Sequence, residues 1–269
     1  MKKPTASLKK KQKITFESLH KWNVALAVLH GVQGVAVLLL ARAVTFPVST
    51  NYITLDTLSS SAGQPQLVPA TQNIFDINLA YLVAAFFFMS ALAHTLVATK
   101  LRKSYEKNLK NHINKVRWVE YALSASTMMI AIAILSGIYD LSSLLMIFML
   151  TAIMNITGLL MESWNGKSKK VNWMSFVLGS VAGIIPWIVI GIYFWGANVY
   201  GSGQIPTFVY FIYGSLFLFF NCFAINMYLQ YKRKGRWADY LYGERVYMIL
   251  SLVAKSALAW QVFFGALRP

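Results

Sequence analysis

A single lysine interrupts a long apolar run near the end of the chain. The run extends from Glu244 to Trp260, and Lys255 lies about eleven residues from its charged start. An ammonium group at the centre of a bilayer costs roughly 2.5–3.5 kcal/mol, so an ionisable residue there marks a functional site. Burial favours the neutral, nucleophilic amine, and such an amine can form a Schiff base with a carbonyl compound. Lys255 is therefore the first residue to consider for chemistry.

The partner that the sequence offers to Lys255 is Glu120. The other eight Asp and Glu residues lie in predicted loops or at predicted helix ends. Glu120 lies ~7 Å into its apolar segment, and Lys255 lies ~16 Å into its own. Both distances are measured from the side of the predicted membrane on which the Lys and Arg residues cluster. Because helical side chains lean toward the N-terminus, the lysine reaches back toward this carboxylate, and pairing leaves neither charge buried alone. The alternative is that Glu120 reaches the membrane interface and pairs with Arg117.

Further polar residues occur at a similar depth. Ser251 precedes Lys255 by one helical turn, so its hydroxyl faces the same nitrogen. A membrane histidine is most often a hydrogen-bond partner between helices, but two near a carboxylate favour a hydrated pocket that holds a proton. No HxxxH or CxxC spacing occurs, so we predict no metal site. The remaining polar residues of this group are His30, Ser90, His94 and Ser124.

The elements that must position these residues are long apolar segments. The chain has 269 residues, of which 57% are hydrophobic and 13% are charged, which is too apolar for a soluble domain. No alternating pattern of a transmembrane barrel is visible, so the segments must be helices. We predict an all-α membrane protein with seven transmembrane helices, each able to cross ~30 Å of hydrocarbon. The segments are 22–43, 76–99, 116–138, 141–161, 173–195, 206–231 and 244–267.

The basic residues predict the orientation of these helices. Of the 25 Lys and Arg residues, 22 lie on one side of the predicted membrane. Cytoplasmic loops carry the excess of positive charge, so the N-terminus is expected in the cytoplasm and the C-terminus outside. Topology therefore explains the net charge of +16, and we expect anionic lipid headgroups, not nucleic acid, at this surface. The basic stretches are 2–21, 100–117, 167–170 and 232–245.

The chain divides into an arm and one domain. Residues 1–21 are predicted to form a basic cytoplasmic arm, and residues 22–269 form the seven-helix domain. Within that domain, 44–75 is a long extracellular connection between the first two helices. Its Pro, Gly, Thr and Ser content predicts an ordered loop or a short hairpin.

Four stretches of the chain are distinctive: SLVAKSALAWQ at 251–261, RWVEY at 117–121, LHGVQ at 29–33 and GLLMES at 158–163. They resemble segments of the heliorhodopsins, a family of microbial rhodopsins with the N-terminus inside the cell. The resemblance covers essentially the whole chain and implies a multi-pass protein of an archaeal or bacterial plasma membrane. It also implies a retinal cofactor, all-trans in the dark, bound as a Schiff base to the lysine of the seventh predicted transmembrane helix.

The resemblance assigns roles to individual residues. Lys255 is the expected retinal attachment site, Glu120 the Schiff-base counterion, and Ser251 stands where ion pumps usually carry a second carboxylate. A polar cavity around the counterion is expected to include His30, His94, Ser90 and Ser124. Ordinary helix packing explains the remaining assignments equally well. These expected retinal-pocket residues are Tyr121, Met154, Gly158, Pro186, Trp187, Phe220 and Trp260.

The residues after Glu120 argue against ion pumping. A pumping helix needs a relay carboxylate beyond the counterion, but positions four and eleven after Glu120 are Ser124 and Ala131. We therefore predict a light sensor that changes conformation on its cytoplasmic face, with a soluble signalling partner. The alternative is light-gated passive proton conduction. A third possibility is a receptor or structural protein that never binds retinal. No cofactor motif or second base accompanies the lysine, so no enzymatic activity is expected.

A homodimer is expected as well. Gly179 and Gly183 lie four residues apart on the fifth segment, and small residues at this spacing let helices approach closely. The resemblance implies a dimer formed through the fourth and fifth helices and the long first loop.

Overall fold

The computed structural model describes residues 14–56, 65–166, 168, 170–203 and 205–269. Most of the predicted basic arm lies outside these residues. The same holds for Lys167 and Lys169 of the fourth loop and for Gly63 of the long first connection.

The described chain is a bundle of long helices with a β-hairpin at one end. All seven predicted segments are helical, and seven helices of the described chain are long and apolar enough to cross a membrane. In chain order the helices are α1 (Phe16–Leu40), α2 (Leu79–Ala98), α3 (Arg102–Lys110), α4 (Lys115–Leu135), α5 (Leu141–Asn165), α6 (Met174–Tyr200), α7 (Thr207–Tyr231) and α8 (Tyr240–Val262). A π-helical turn, Phe263–Leu267, extends α8.

The bundle has a basic end and a hairpin end. The basic end is where α1, α4 and α8 begin, at Phe16, Lys115 and Tyr240. The hairpin end is opposite and carries the strands between α1 and α2. Short α3 lies at the basic end, where it follows α2.

Two helices begin earlier than the hydropathy predicted. Helix α1 starts at Phe16, because the Thr15 side chain accepts the amide hydrogen of Ser18 and so caps the helix. It therefore takes in 16–21, which were predicted to belong to the basic arm. Helix α8 starts at Tyr240, where the side chain of Asp239 caps it in the same way. Polar first turns of this kind are invisible to a search for apolar runs.

The long first connection is a hairpin. Strand β1 (Thr45–Leu55) pairs antiparallel with strand β2 (Leu67–Asn78), so the hairpin form of the prediction is found, in longer form than expected. The amide of Ser49 donates to the carbonyl of Tyr139 at 2.9 Å, in the connection between α4 and α5. The hairpin is therefore tied to the helices at this end of the bundle.

Helix α3 was not predicted. It buries Tyr105 and Leu109 against the basic end and exposes its lysines, so it is amphipathic and too polar to stand out as an apolar segment. Arg102 of α3 pairs with Glu17 at 2.9 Å and with Glu106 at 3.0 Å. These side chains are partly exposed, and such pairs contribute only about 0–1 kcal/mol.

The glycine pair of the fifth segment packs inside the chain. A Cβ atom on Gly179 would contact the Thr157 side chain of α5, and one on Gly183 would contact Met154. The two glycines therefore allow close contact between α6 and α5 of the same chain. This contact accounts for the motif without a dimer, and the homodimer stays a prediction.

Candidate functional site

Lys255 and Glu120 form a buried ion pair. The lysine Nζ lies 3.2 Å from Glu120 Oε1, and the two side chains are 3% and 6% exposed. Nζ also donates a hydrogen bond to Ser251 Oγ at 2.7 Å, as the one-turn spacing predicted. The Tyr121 ring centre is 5.1 Å away, within range of a cation–π contact. The predicted pairing of α8 with α4 is therefore present.

A serine of a third helix binds the carboxylate. Ser90 of α2 lies 2.5 Å from Glu120 Oε1 and 3.0 Å from the Phe86 carbonyl. A hydroxyl has one hydrogen, and the charged carboxylate is the stronger acceptor. Ser124 lies one turn further along α4, and within the described chain its buried hydroxyl has no hydrogen-bond partner. Glu120 is thus held from α2 as well as from α8.

The two predicted histidines stack beside this pair. The rings of His30 and His94 lie 5.7 Å apart and are nearly parallel. His94 Nδ1 is 2.8 Å from Asn23 Oδ1, and an amide oxygen only accepts, so Nδ1 carries the hydrogen. Both ring nitrogens of the fully buried His30 lack a partner within the described residues. Buried polar groups of this kind usually bind ordered water, which fits the predicted hydrated pocket.

A cavity opens from the lysine between five helices, α4 to α8. Its empty volume is about 790 Å³, counted out to its mouth. We call it the lysine cavity. Four of the predicted retinal-pocket residues line it, together with Lys255 and Ser251. These four are Tyr121, Met154, Gly158 and Phe220.

Three predicted pocket residues lie off the cavity wall. Trp187 packs behind Phe220, with the ring centres 5.3 Å apart. Pro186 precedes it in α6 and is buried. Trp260 points to α1, where its Nε1 donates to Gln33 Oε1 at 3.0 Å. Their contact with a chromophore stays a prediction.

Helix periodicity could have identified the wall residues that were missed. On α4 the wall consists of positions 118, 121, 125 and 128, which fall on one helical face. On α7 positions 220, 223, 224 and 227 do the same. The missed residues are Trp118, Ala125, Met128, Asn155, Thr157, Ser175, Phe176, Gly179, Ser180, Phe223, Ala224, Met227 and Ala254.

The lysine cavity fits retinal by its chemistry. Its lining is largely apolar and aromatic, and the Lys255 amine lies in its wall, as an elongated hydrocarbon with one terminal carbonyl requires. Gly158 is needed for this shape, because a Cβ atom at this position would run into the Trp118 ring. The ring of Trp118 can therefore form the wall only beside a glycine.

A second group of buried charges lies at the basic end. The guanidinium of Arg117 binds Glu162 of α5 through Nη2 and Glu244 of α8 through Nη1. It also lies 4.0 Å from the centre of the Tyr247 ring. We call Arg117, Glu162 and Glu244 the arginine cluster. Their side chains are 1–3% exposed.

The arginine cluster corrects two expectations. Glu162 and Glu244 were placed at helix ends, yet both are as deeply buried as Glu120, because each binds the same buried guanidinium. Arg117 is therefore occupied by these two carboxylates, and the alternative pair with Glu120 is not formed. No three His, Cys, Asp or Glu side chains of the described residues come together as a metal site.

The bundle has seven apolar helices, and the cavity between five of them ends at a buried lysine–carboxylate pair. This is the arrangement of rhodopsin-class membrane proteins. The family model for heliorhodopsins matches residues 19–267, and the chain belongs to that family. It is accordingly a multi-pass membrane protein of a retinal-binding, light-responsive family of photoreceptor type. A comparison with curated proteins gave no match.

Replacing Gly158 tests the shape of the lysine cavity. In Gly158→Val the new side chain must displace Trp118 into the cavity, and overpacking of this kind costs about 1–3 kcal/mol. We expect roughly tenfold less pigment at a fixed, limiting retinal concentration, measured by visible absorption. Gly31→Val is the matched control, because a Cβ at Gly31 meets nothing within 4 Å. Equal pigment yields in the two variants would contradict the assigned cavity.

Proposed function

We propose that the protein is a light sensor in which retinal is attached to Lys255 and the signal leaves through the basic end, without ion pumping. The observation that supports this most directly is the Lys255–Glu120 ion pair beside the lysine cavity. Bound retinal supplies the absorption of visible light and a change of shape on illumination. The protein supplies the attachment amine, the charge that faces it and the path for the response.

Glu120 is the proposed counterion. A carboxylate 3.2 Å from the lysine nitrogen favours the protonated, positively charged form of that nitrogen after attachment. Ser251 accepts a hydrogen from the nitrogen, and Ser90 keeps the carboxylate oriented. A light-driven displacement of this charge weakens its contact with Glu120, and the helices that hold the two residues then relax.

The distribution of buried charge favours signalling over pumping. The structure describes five buried charged side chains, and they lie at Lys255 or between it and the basic end. Toward the hairpin end, α8 continues with Leu258, Ala259 and Val262, which are fully buried in an apolar core. An ion that crosses the membrane needs polar groups along its whole path. The five side chains are Arg117, Glu120, Glu162, Glu244 and Lys255.

The basic end is proposed to face the cytoplasm. At this end, α3 and the adjoining ends of the long helices carry most of the Lys and Arg residues of the described chain. An excess of positive charge is the signature of the cytoplasmic side. With this orientation the polar half of the bundle points toward soluble proteins inside the cell. We propose that the signal passes to such a partner, and that the chain acts as a homodimer in a bacterial or archaeal plasma membrane.

Passive proton conduction is the second candidate. Polar side chains already connect Glu120 with the basic end, so only the apolar hairpin half would have to open in the light. The sensor predicts no sustained photocurrent when retinal-loaded protein is illuminated under patch clamp. Lys255→Ala, illuminated in the same way but unable to attach retinal, is the control for heating by the lamp. A photocurrent that reverses with the proton gradient would support conduction and sink the sensor-only proposal.

Retinal attachment has its own test. Expression with all-trans retinal should give a coloured protein, and Lys255→Ala should be colourless, because no other lysine of the described residues lines the lysine cavity. Lys103→Ala, on the exposed face of α3, should keep the full absorption band. A colourless wild-type protein would instead favour a receptor or structural protein without retinal. Colour in Lys255→Ala would refute the attachment site.

A further inference from the structure

The arginine cluster carries an unbalanced charge. One guanidinium faces two carboxylates, so the group has a net charge of −1 when both acids are ionised. All three side chains are almost fully buried, and an uncompensated buried charge is strongly unfavourable. A proton added to one carboxylate would neutralise the group. The arginine cluster is thus a place where the protein can take up a proton.

The hydrogen bonds distinguish the two acids. Glu162 accepts from Arg117, from Trp118 Nε1 at 2.7 Å, from the Asn114 amide at 2.8 Å and from the Tyr240 hydroxyl at 3.0 Å. These four donors occupy the roughly four acceptor positions that the two oxygens of a carboxylate offer.

Glu244 has fewer donors. It accepts from Arg117, from Asn114 Nδ2 at 2.7 Å and from the Tyr105 hydroxyl at 3.2 Å. Burial raises the pKa of Tyr105 well above its usual value, so this hydroxyl keeps its hydrogen. With three donors against four, Glu244 is the acid that gains a proton at lower cost.

A small cavity with polar side chains in its wall lies between Glu244 and Glu120, the partner of Lys255, and is called the polar cavity. Its empty volume, counted out to its mouth, is about 340 Å³, and its interior has room for about two water molecules. Glu120 and His94 line it at one end, and Glu244 and Arg117 line it at the other, whereas Glu162 does not line it. Its complete wall is Asn23, Ala93, His94, Val97, Asn114, Val116, Arg117, Glu120, Tyr121, Glu244 and Met248.

We propose that Glu244 accepts the proton that leaves the Lys255 nitrogen in the light. With retinal bound, the N–H bond at the Lys255 nitrogen would break, an O–H bond at Glu244 would form, and water or His94 in the polar cavity would carry the proton between them. The positive charge leaves the nitrogen, and the arginine cluster changes from −1 to neutral. The proton returns along the same path in the dark, so none is moved across the membrane. The proposal rests on the retinal function proposed above.

Protonation of Glu244 also offers a way to reach the surface. Hydrogen bonds to an ionised carboxylate are roughly twice as strong as neutral ones, so the bonds from Tyr105 and Arg117 to Glu244 weaken when it gains a proton. Tyr105 belongs to α3, which lies at the basic end and carries exposed lysines. The light reaction in the lysine cavity would therefore loosen α3 through one side chain.

Infrared difference spectroscopy of the retinal-loaded protein tests this assignment. Light that deprotonates the lysine nitrogen should produce the carbonyl stretch of a new carboxylic acid in the wild type. Glu244→Gln should lack this band and form the deprotonated state roughly 100-fold more slowly, at the low end of what a positioned proton acceptor contributes. Glu244→Asp should keep the band at a shifted frequency. Glu17→Gln, at a side chain that is 59% exposed, should resemble the wild type.

The outcomes separate this inference from the retinal function. A deprotonated state without any new acid carbonyl band in the wild type would overturn the role of Glu244, whether or not the variants fold. A band that persists in Glu244→Gln but vanishes in Glu162→Gln would overturn it as well. A protein without a visible absorption band would instead refute the retinal function itself.

Discussion

The structure depends on keeping a lysine charge inside an apolar bundle. Lys255 and Glu120 bind each other, and each also has a serine partner: Ser251 binds the ammonium and Ser90 binds the carboxylate. Removing one partner of such a buried pair typically costs about 3–5 kcal/mol, since the remaining charge stays buried. The pair therefore fixes how α2, α4 and α8 must meet, and the same contact places the amine in the wall of the lysine cavity.

The second charged group follows from the same constraint. Arg117 precedes Glu120 by three residues on α4, so one helical face carries both a buried cation and a buried anion. Each pairs with an opposite charge on α8, Glu244 for Arg117 and Lys255 for Glu120. Polar chemistry thus extends from the middle of the bundle to its basic end, whereas the hairpin half closes over apolar side chains. This one-sided arrangement suits a signal that leaves through the basic end.

Much of the site was accessible from the sequence because depth and periodicity are simple quantities. Counting residues from the basic side placed Glu120 within reach of Lys255, and the one-turn spacing placed Ser251 on the same nitrogen, and both contacts are present. The seven helices followed from apolar length alone. Gly158 and Tyr121 came from the resemblance and line the lysine cavity.

The remainder depended on contacts between segments that no local pattern encodes. Glu162 and Glu244 lie near the ends of predicted helices, where an acidic side chain is usually exposed. They are buried only because α4, α5 and α8 meet around Arg117. Helix α3 is too polar for an apolar-run search, although it packs by its Tyr and Leu side chains. The direction of Trp260 likewise depends on its hydrogen bond to Gln33 of another helix.

Glu120 is the proposed counterion of the retinal-linked nitrogen, and the spectral pH titration of Glu120→Gln in retinal-loaded protein tests this role directly. Without the carboxylate the protonated form of the nitrogen is less favoured. The visible band should therefore shift, and when the pH is raised it should disappear at a lower pH than in the wild type. Glu120→Asp should lie between the two. A Glu120→Gln protein whose absorption band and titration both match those of the wild type would contradict the account.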